Sequence, residues 1–347
     1  MPRARVTSKH SALAAISAAL VTASRIFVPV LGTVALIGIA AFPAAARAES
    51  WPERPIRIVV PAGPGSSLDA LARTLGQRLK ARLGQPIIVE NKPAAGGTVA
   101  TAEVAKAAAD GYTMLLGYNG PLAFAPLLSK LPYDVERDLA PVVAVSSQPN
   151  VLAVNSGLPV LSVAELVSWA KANPRTATYA SVGNGSASHL DMELFKALAG
   201  LELLHVPFNG SPPAVLATVQ GETQMLFAVM QPLKAQIDAG RLRALAVTSA
   251  RRFALAPDLP TIAESGYPGF EALAWNGILV PAATPATIVA RLNSEINAVL
   301  KEAGVIDKLH ADGFELVGGT PADFRDLIRH EVTTWTPVIR KLGLRSD

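Results

Sequence analysis

Apolar residues fall along this chain in short β-branched runs that alternate with stripes at helical spacing. Over residues 54–83, Ile56, Ile58, Val59 and Val60 predict a buried strand, and Leu68, Leu71, Leu75 and Leu79 predict one face of a helix. The turn between them carries Gly63, Gly65, Ser66 and Ser67. A second strand is predicted over 86–90, an Ala-rich helix over 98–108 and a third strand over 112–118. A short helix ending near Leu128 follows the turn at Asn119, Gly120 and Pro121. Strands and helices in alternation, joined by short Gly-rich turns, predict an α/β fold with a parallel sheet. Its turns would gather at the carboxyl ends of the strands, where open sheets of this kind bind ligands.

Residues 142–155 break the alternation, because two apolar extended runs are separated only by Ser147, Gln148, Pro149 and Asn150. This stretch reads as a crossing between two domains. A second α/β series follows. Ser162 and Glu165 make a capping box, and strands are predicted over 176–181, 203–208, 223–229 and 242–248. Residues 271–280 form a second extended crossing. Thr284 is expected to cap the next helix with Pro285 at its first position, a late strand is expected over 314–317, and Thr320, Pro321 and Asp323 open the last helix. Two crossings imply a discontinuous first lobe, residues 49–147 with 276–347, and a continuous second lobe, residues 148–275. Such a molecule can close around a ligand.

Composition refines this picture at the amino terminus. The 347 residues are 50% hydrophobic and 17% charged, as in a globular protein of one or two domains. The first 48 residues hold Arg3, Arg5, Lys9, Arg25 and Arg47 and no acid, so subtracting five from the net charge of +4 leaves −1 for the remainder. No basic stripe is left to support a nucleic-acid partner. The same 48 residues combine a basic start, an uncharged run over 26–42 and an A-x-A site at Ala46, Arg47 and Ala48. They read as a secretory signal peptide cleaved after Ala48, which places the mature protein in the periplasm. The competing reading is an uncleaved anchor. A start at Val21 would give the leader an ordinary length. With no cysteine there is no lipid-attachment thiol, no disulfide and no thiolate chemistry.

Three turns share one design of strand, small polar residues with glycine, then helix: Gly63 to Ser67, Gly183 to Ser188 and Asn209 to Pro213. Each offers helix-terminal amides and small hydroxyls, a donor set suited to a carboxylate or phosphate. An ordinary turn needs no ligand, but turns of this kind in both lobes would line a cleft from both sides.

Enzyme signals are weak by comparison. No G-x-S-x-G elbow occurs, and Ser186 three residues before His189 is a natural helix cap. The histidines His189, His205, His310 and His330 show no metal-binding spacing, and neither nucleotide-binding glycine motif is present. No catalytic residue, metal or cofactor is expected. The acids Asp134, Glu136 and Asp138 around Arg137 read as a solvated face, and His205 and Trp275 as packed side chains.

Nine stretches carry a resemblance: WPERPIRIVVPAGPG at Trp51, LGQPIIVENKPAAGG at Leu83, ADGYTMLLG at Ala109, LPYDVERDLAPV at Leu131, YASVGNGSASHL at Tyr179, LLHVPFNG at Leu203, GRLRALAVTSARR at Gly240, LPTIAESGYPGFE at Leu259 and VGGTPADF at Val317. In order and spacing they resemble the Bug family of periplasmic solute-binding proteins, receptors associated with tripartite tricarboxylate transporters. The resemblance implies a two-lobed periplasmic binding protein fold with two crossing strands, a small organic carboxylate as ligand, and membrane transporter subunits as partners of a monomer. It places first-lobe contacts at Ala62, Gly65, Ser66, Ser67, Asp69, Tyr118 and Asn119. Second-lobe contacts fall at Ser181, Gly183, Asn184, Ser186, His189, Phe208, Asn209 and Gly210. Ala228 stands where many members carry an Asp able to meet an ammonium, and Phe208-Asn209-Gly210 where many have Tyr-Lys-Gly. Two rivals remain open: a ligand-dependent partner of a signalling kinase, and a secreted hydrolase using Ser186.

Overall fold

The computed structural model describes residues 51–344. The expected signal peptide, its cleavage after Ala48 and the alternative start at Val21 lie outside the described residues.

The first strand, β1 (Ile56–Val60), buries every residue except the half-buried Arg57. Helix α1 (Ser67–Leu83) turns Leu68, Leu71, Leu75 and Leu79 inward as the spacing predicts. It is capped at one end by Ser66, whose hydroxyl accepts from Asp69 N at 3.2 Å, and at the other by Gly84. There follow β2 (Ile87–Asn91), a single 3-10 turn (Ala95–Gly97), α2 (Thr98–Ala105), β3 (Thr113–Tyr118) and the short helices α3 (Ala125–Leu128) and α4 (Val135–Asp138). Strand β1 lies between β2 and β3, parallel to both.

The chain then enters β4 (Leu139–Asn155), one continuous strand of 17 residues. The expected interruption at Ser147 to Asn150 is absent. Pro149 is tolerated because it stands at a handover: it faces Leu273 on one partner, whereas Asn150 already faces Val229 on another. The second series is α5 (Val163–Ala172), β5 (Thr178–Ser181), α6 (Ala187–Ala199), β6 (Leu204–Pro207), α7 (Ser211–Gln220), β7 (Met225–Val229), α8 (Met230–Asp238) and β8 (Leu242–Val247). Strand β5 lies parallel to β6 and β7, while β7 and β8 run antiparallel to β4.

Strand β9 (Leu273–Pro281) returns antiparallel to β4 from Pro149 back to Leu139, and to β3 on its other edge. The chain ends with α9 (Ala286–Val299), α10 (Ala303–Ala311), β10 (Glu315–Gly318) and α11 (Pro321–Leu342). Helix α9 begins one residue later than expected. Pro285 is its cap, and the Thr284 hydroxyl is buried without a partner. Helix α11 opens with the expected capping box of Thr320 and Asp323. The strand order β2-β1-β3-β9-β4-β7-β5-β6, with β10 and β8 also on β4, is a mixed sheet whose two parallel ends share the β4–β9 ribbon.

Helix α11 lies against this ribbon, where Phe324 packs edge-on to the buried Trp275, ring centroids 5.7 Å apart. A Cβ at Gly277 would lie 2.2 Å from Phe324 Cζ and 2.8 Å from the carbonyl oxygen of Val143. Glycine is therefore what lets the helix sit this close. Gly277→Ala is expected to destabilise the fold by roughly 1–3 kcal/mol, the usual cost of overpacking, read as a lower urea midpoint. An unchanged midpoint would show that the ring moves aside freely.

Candidate functional site

A partly open cavity of about 90 Å³ lies where the two parallel ends of the sheet meet the β4–β9 ribbon. Its walls are helix beginnings. Ser66, Ser67 and Leu68 come from the start of α1, Gly97 precedes α2, Ala187 and Ser188 open α6, and Gly210 and Ser211 open α7. Each first-turn amide lacks an intrahelical acceptor, and the partial positive charge of each helix end points to the same space. Its floor is the ribbon. Gln148 and Asn150 on β4, and Ala274 and Asn276 on β9, line the cavity from one face, with Asn119 beside them at the end of β3. All four amide side chains are buried. No lining residue carries a carboxyl or a basic side chain.

One contact between the two ends of the sheet is made by backbone against backbone. At Gly96, a residue with φ of 58°, a Cβ would come within 2.5 Å of the carbonyl oxygen of Asn184. A Cβ on Gly183 would in turn sit 3.4 Å from Gly96 Cα. The Tyr118 hydroxyl donates to Gly96 O at 2.7 Å and so holds the near side of this contact. Burial raises the pKa of that phenol, which stays protonated. The cavity is therefore shut on this side by glycine against main chain.

Of the residues the sequence points to, Ala62, Ser66, Ser67, Tyr118, Asn119, Asn209, Gly210 and Ala228 line the cavity. The others lie around it. Asp69 accepts from Gly65 N at 3.0 Å and pairs with Arg73 at 2.9 Å, which keeps the turn before α1 in place. Ser186 donates to Gly183 O at 2.6 Å and accepts from His189 N, as an N-cap does. Gly183, Asn184 and Phe208 line a separate outer crevice with Gly96 and Asn209.

Ser181 and His189 belong to a stack behind the second wall. The His205 ring lies flat between Tyr179 and His189, at 4.7 and 4.3 Å, and its Nε2 is 2.6 Å from Ser181 Oγ. His189 Nδ1 accepts from Gly185 N at 3.2 Å. Burial pushes His205 down to about 4 and His189 in the same direction, so both rings are neutral at neutral pH. The serine next to this histidine holds a loop and does not face the cavity, in contrast to a hydrolytic pair.

Of the floor amides the sequence singles out Asn119 alone, because Gln148 and Asn150 read there as an interruption of an apolar run. Alternation does carry the signal: positions 146, 148 and 150 share one face of a strand. Behind them stand two acids, the buried Asp191 and the half-buried Glu331. Asp191 Oδ2 accepts from Asn150 Nδ2 at 2.6 Å. Burial raises Asp191 to about 8, against the Asn150 hydrogen bond and with help from the charge of Glu331. Partial burial also raises Glu331 to about 7, opposed by the nearby side-chain donors of Trp275, Asn119 and Trp335. Among the described residues, no group of three or more potential metal ligands occurs, and no helix is long and apolar enough to cross a membrane.

Two α/β ends closing over a neutral, donor-lined cavity across a pair of crossing strands define a two-lobed solute-binding protein. The chain belongs to the tripartite tricarboxylate transporter family of receptors, whose family model matches residues 71–344. Its members and solved neighbours are periplasmic binding proteins. Protein BugT of Bordetella pertussis is 38% identical over 317 residues, which is 90% of this chain and 97% of BugT. Among solved structures, Rpa4515 of R. palustris with adipate is 37% identical with a TM-score of 0.82, over 85% of this chain and 99% of that one. MatC (Rpa3494) from Rhodopseudomonas palustris with bound malate is 31% identical with a TM-score of 0.80, over 83% of this chain and 99% of that one.

The two acids give this site a pH signature. Both are raised above the ordinary carboxyl range, so the folded protein holds protons that the unfolded chain has released. Their contribution to stability is complete below about pH 4 and drains away as pH rises through about 7 and then about 8. Asp191→Asn keeps an acceptor for Asn150 and removes one of these protons. It is expected to flatten the fall in thermal stability between about pH 4 and 8 and to raise stability near pH 8.5 by more than ~1 kcal/mol. A variant that follows the parent curve would show Asp191 to be ionised throughout.

Proposed function

We propose that this protein captures a small organic carboxylate in the cavity and delivers it, lobes closed, to the membrane subunits of a tripartite tricarboxylate-type transporter. The observation that carries the reading is the convergence of the α1, α6 and α7 starts on a cavity lined by hydroxyls and amides. Burying a carboxylate is costly unless hydrogen bonds replace its hydration, and charge-assisted bonds from amides do so well. Adipate in Rpa4515 and malate in MatC are ligands of this class in related folds. In this reading the lobes are residues 49–147 with 276–347, and residues 148–275. The signal peptide is cleaved after Ala48, the receptor works as a monomer in the periplasm, and no bond is made or broken in the ligand. Ala62, Ser66, Ser67, Tyr118, Asn119, Asn209, Gly210 and Ala228 touch the solute. Gly65, Asp69, Ser181, Gly183, Asn184, Ser186, His189 and Phe208 shape the loops that do.

Isothermal titration with mono-, di- and tricarboxylates, amino acids and neutral sugars tests the ligand class. A carboxylate is expected to bind, with an affinity that changes less than about threefold when salt is raised, since no cationic side chain in the cavity is there to be screened. Binding of neutral sugars alone would refute the reading.

Closure has its own test. Gly96→Ala places a methyl against Asn184 O and is expected to lower affinity for that carboxylate at least about tenfold, while the left-handed backbone at this position costs about 1–2 kcal/mol of stability. Unchanged affinity would separate ligand capture from this backbone contact.

A further inference from the structure

The four amides of the floor are held in different ways. Asn119 Nδ2 donates at 3.0 Å to Leu273 O, which can only accept, and Asn119 Oδ1 is sealed inside the protein without a partner. Asn276 meets Ser146 Oγ at 2.9 Å, a hydroxyl that can serve either end of an amide. The Gln148 side chain bonds nothing within the protein and is free to turn. Asn150 alone is set by a group that gains and loses a proton. One end of its amide lies 2.6 Å from Oδ2 of Asp191, itself 1% exposed. The other end bonds nothing in the protein, yet it is not sealed as Asn119 Oδ1 is, so it opens on the cavity that Asn150 lines.

An amide exchanges its donor for its acceptor by a half-turn that leaves the heavy-atom positions almost unchanged. An ionised Asp191 can only accept, so it holds Nδ2 and leaves Oδ1 to face, and repel, a carboxylate. A protonated Asp191 also donates. Its hydroxyl takes Oδ1 as acceptor and turns Nδ2 into the cavity, where it joins the donors at the helix starts. The separation of 2.6 Å is short for N–H to O, which begins at about 2.7 Å, and ordinary for O–H to O. Burial favours the protonated form as well.

Little else that titrates faces this carboxyl. Strands β4 and β7 carry no titratable side chain, and Tyr179 on β5 is bonded to Glu193. On α6 itself Glu193 pairs with Lys196, and His189 is turned to Gly185 and His205. Glu331 of α11 is the charge that acts on Asp191, and the other charged residues of that helix are exposed.

Resting on the carboxylate reading above, we propose that Asp191 is a positioning residue for anion capture: carrying a proton, it turns the Asn150 amide nitrogen towards the bound carboxylate, so that solute and proton are taken up together.

Isothermal titration of the mature protein with succinate, malate and adipate between pH 7 and 9, where these acids are fully ionised, tests the coupling. The dissociation constant of whichever acid binds is expected to rise about tenfold across that range, as the fraction of protein with a protonated Asp191 falls. At pH 8, titrations in phosphate and in Tris, which differ in heat of ionisation, are expected to show uptake of about half a proton per solute bound. Asp191→Asn, whose own amide donates to Asn150 at every pH, is expected to keep the affinity of the parent at pH 7 and to lose both the pH dependence and the proton uptake. Glu331→Gln is expected to retain both, with the fall setting in at lower pH. Asn150→Ala is expected to lose about fivefold more affinity at pH 7 than at pH 9, a difference that repulsion by the Asp191 charge acting alone would not produce. A parent whose affinity is flat with no proton uptake, a fall that persists in Asp191→Asn, or an equal loss at both pH values in Asn150→Ala would overturn the assignment while leaving carboxylate capture intact. Failure of every acid to bind at pH 7 would instead remove the carboxylate reading beneath it.

Discussion

The antiparallel register between the two crossing strands is the constraint on which the rest of the structure depends. Pairing of Ser146 with Asn276, Gln148 with Ala274 and Pro149 with Leu273 puts the amide side chains of both strands on one face. A slip of one residue in β9 would carry Asn276 from the cavity face to the face packed by Phe324 and turn Trp275 out of it. The same register places Gly277 under the Phe324 ring, so the docking of the last helix and the floor of the cavity are set by a single pairing. Both ends of the sheet hang from this ribbon, and their loops reach the solute from opposite sides.

Recognition of an anion without a cation follows from how the walls are made. A lysine or arginine in an enclosed cavity would itself require desolvation, and it would attract any anion of suitable size. Helix termini offer smaller, fixed charges whose direction is set by the backbone. The chain pins them with local hydrogen bonds: Ser66 to Asp69 N, Asp69 to Gly65 N, Ser186 to Gly183 O, and His189 to Gly185 N. Residues that seem chemically promising in the sequence, Asp69, Ser186 and His189 among them, are used in this way to hold donors still. Neutral stacked histidines suit that task, because a protonated Nδ1 could not accept from Gly185.

Much of this was legible beforehand. The helical spacing of Leu68 to Leu79 and the strand 56–60 are local signals, and each of the three small-residue turns precedes a helix in the structure. The two crossings were also visible as extended runs out of step with the alternation. The join at Pro149 was misread, because a proline inside a strand is tolerated only when the strand changes partners there, and partner exchange is not written in local sequence. The cap of α9 was misplaced by one residue for a similar reason: Thr284 has the chemistry of a cap but lies buried, outside the first turn. At the site, loop residues were found because glycine and serine announce themselves. Asn119 was found with them, whereas Asn150 and Asn276 were missed because they acquire their meaning from an acid on another helix or from a partner 130 positions away.

The contact of Gly96 with the Asn184 carbonyl is made by atoms that every residue possesses. A closing surface of this kind carries no chemical preference and is indifferent to what the cavity holds. Discrimination among solutes is thereby confined to a few side chains on the ribbon, which can be exchanged without disturbing the motion. One mechanical frame of this design can be refitted, by changes at a handful of inward positions, to collect quite different nutrients.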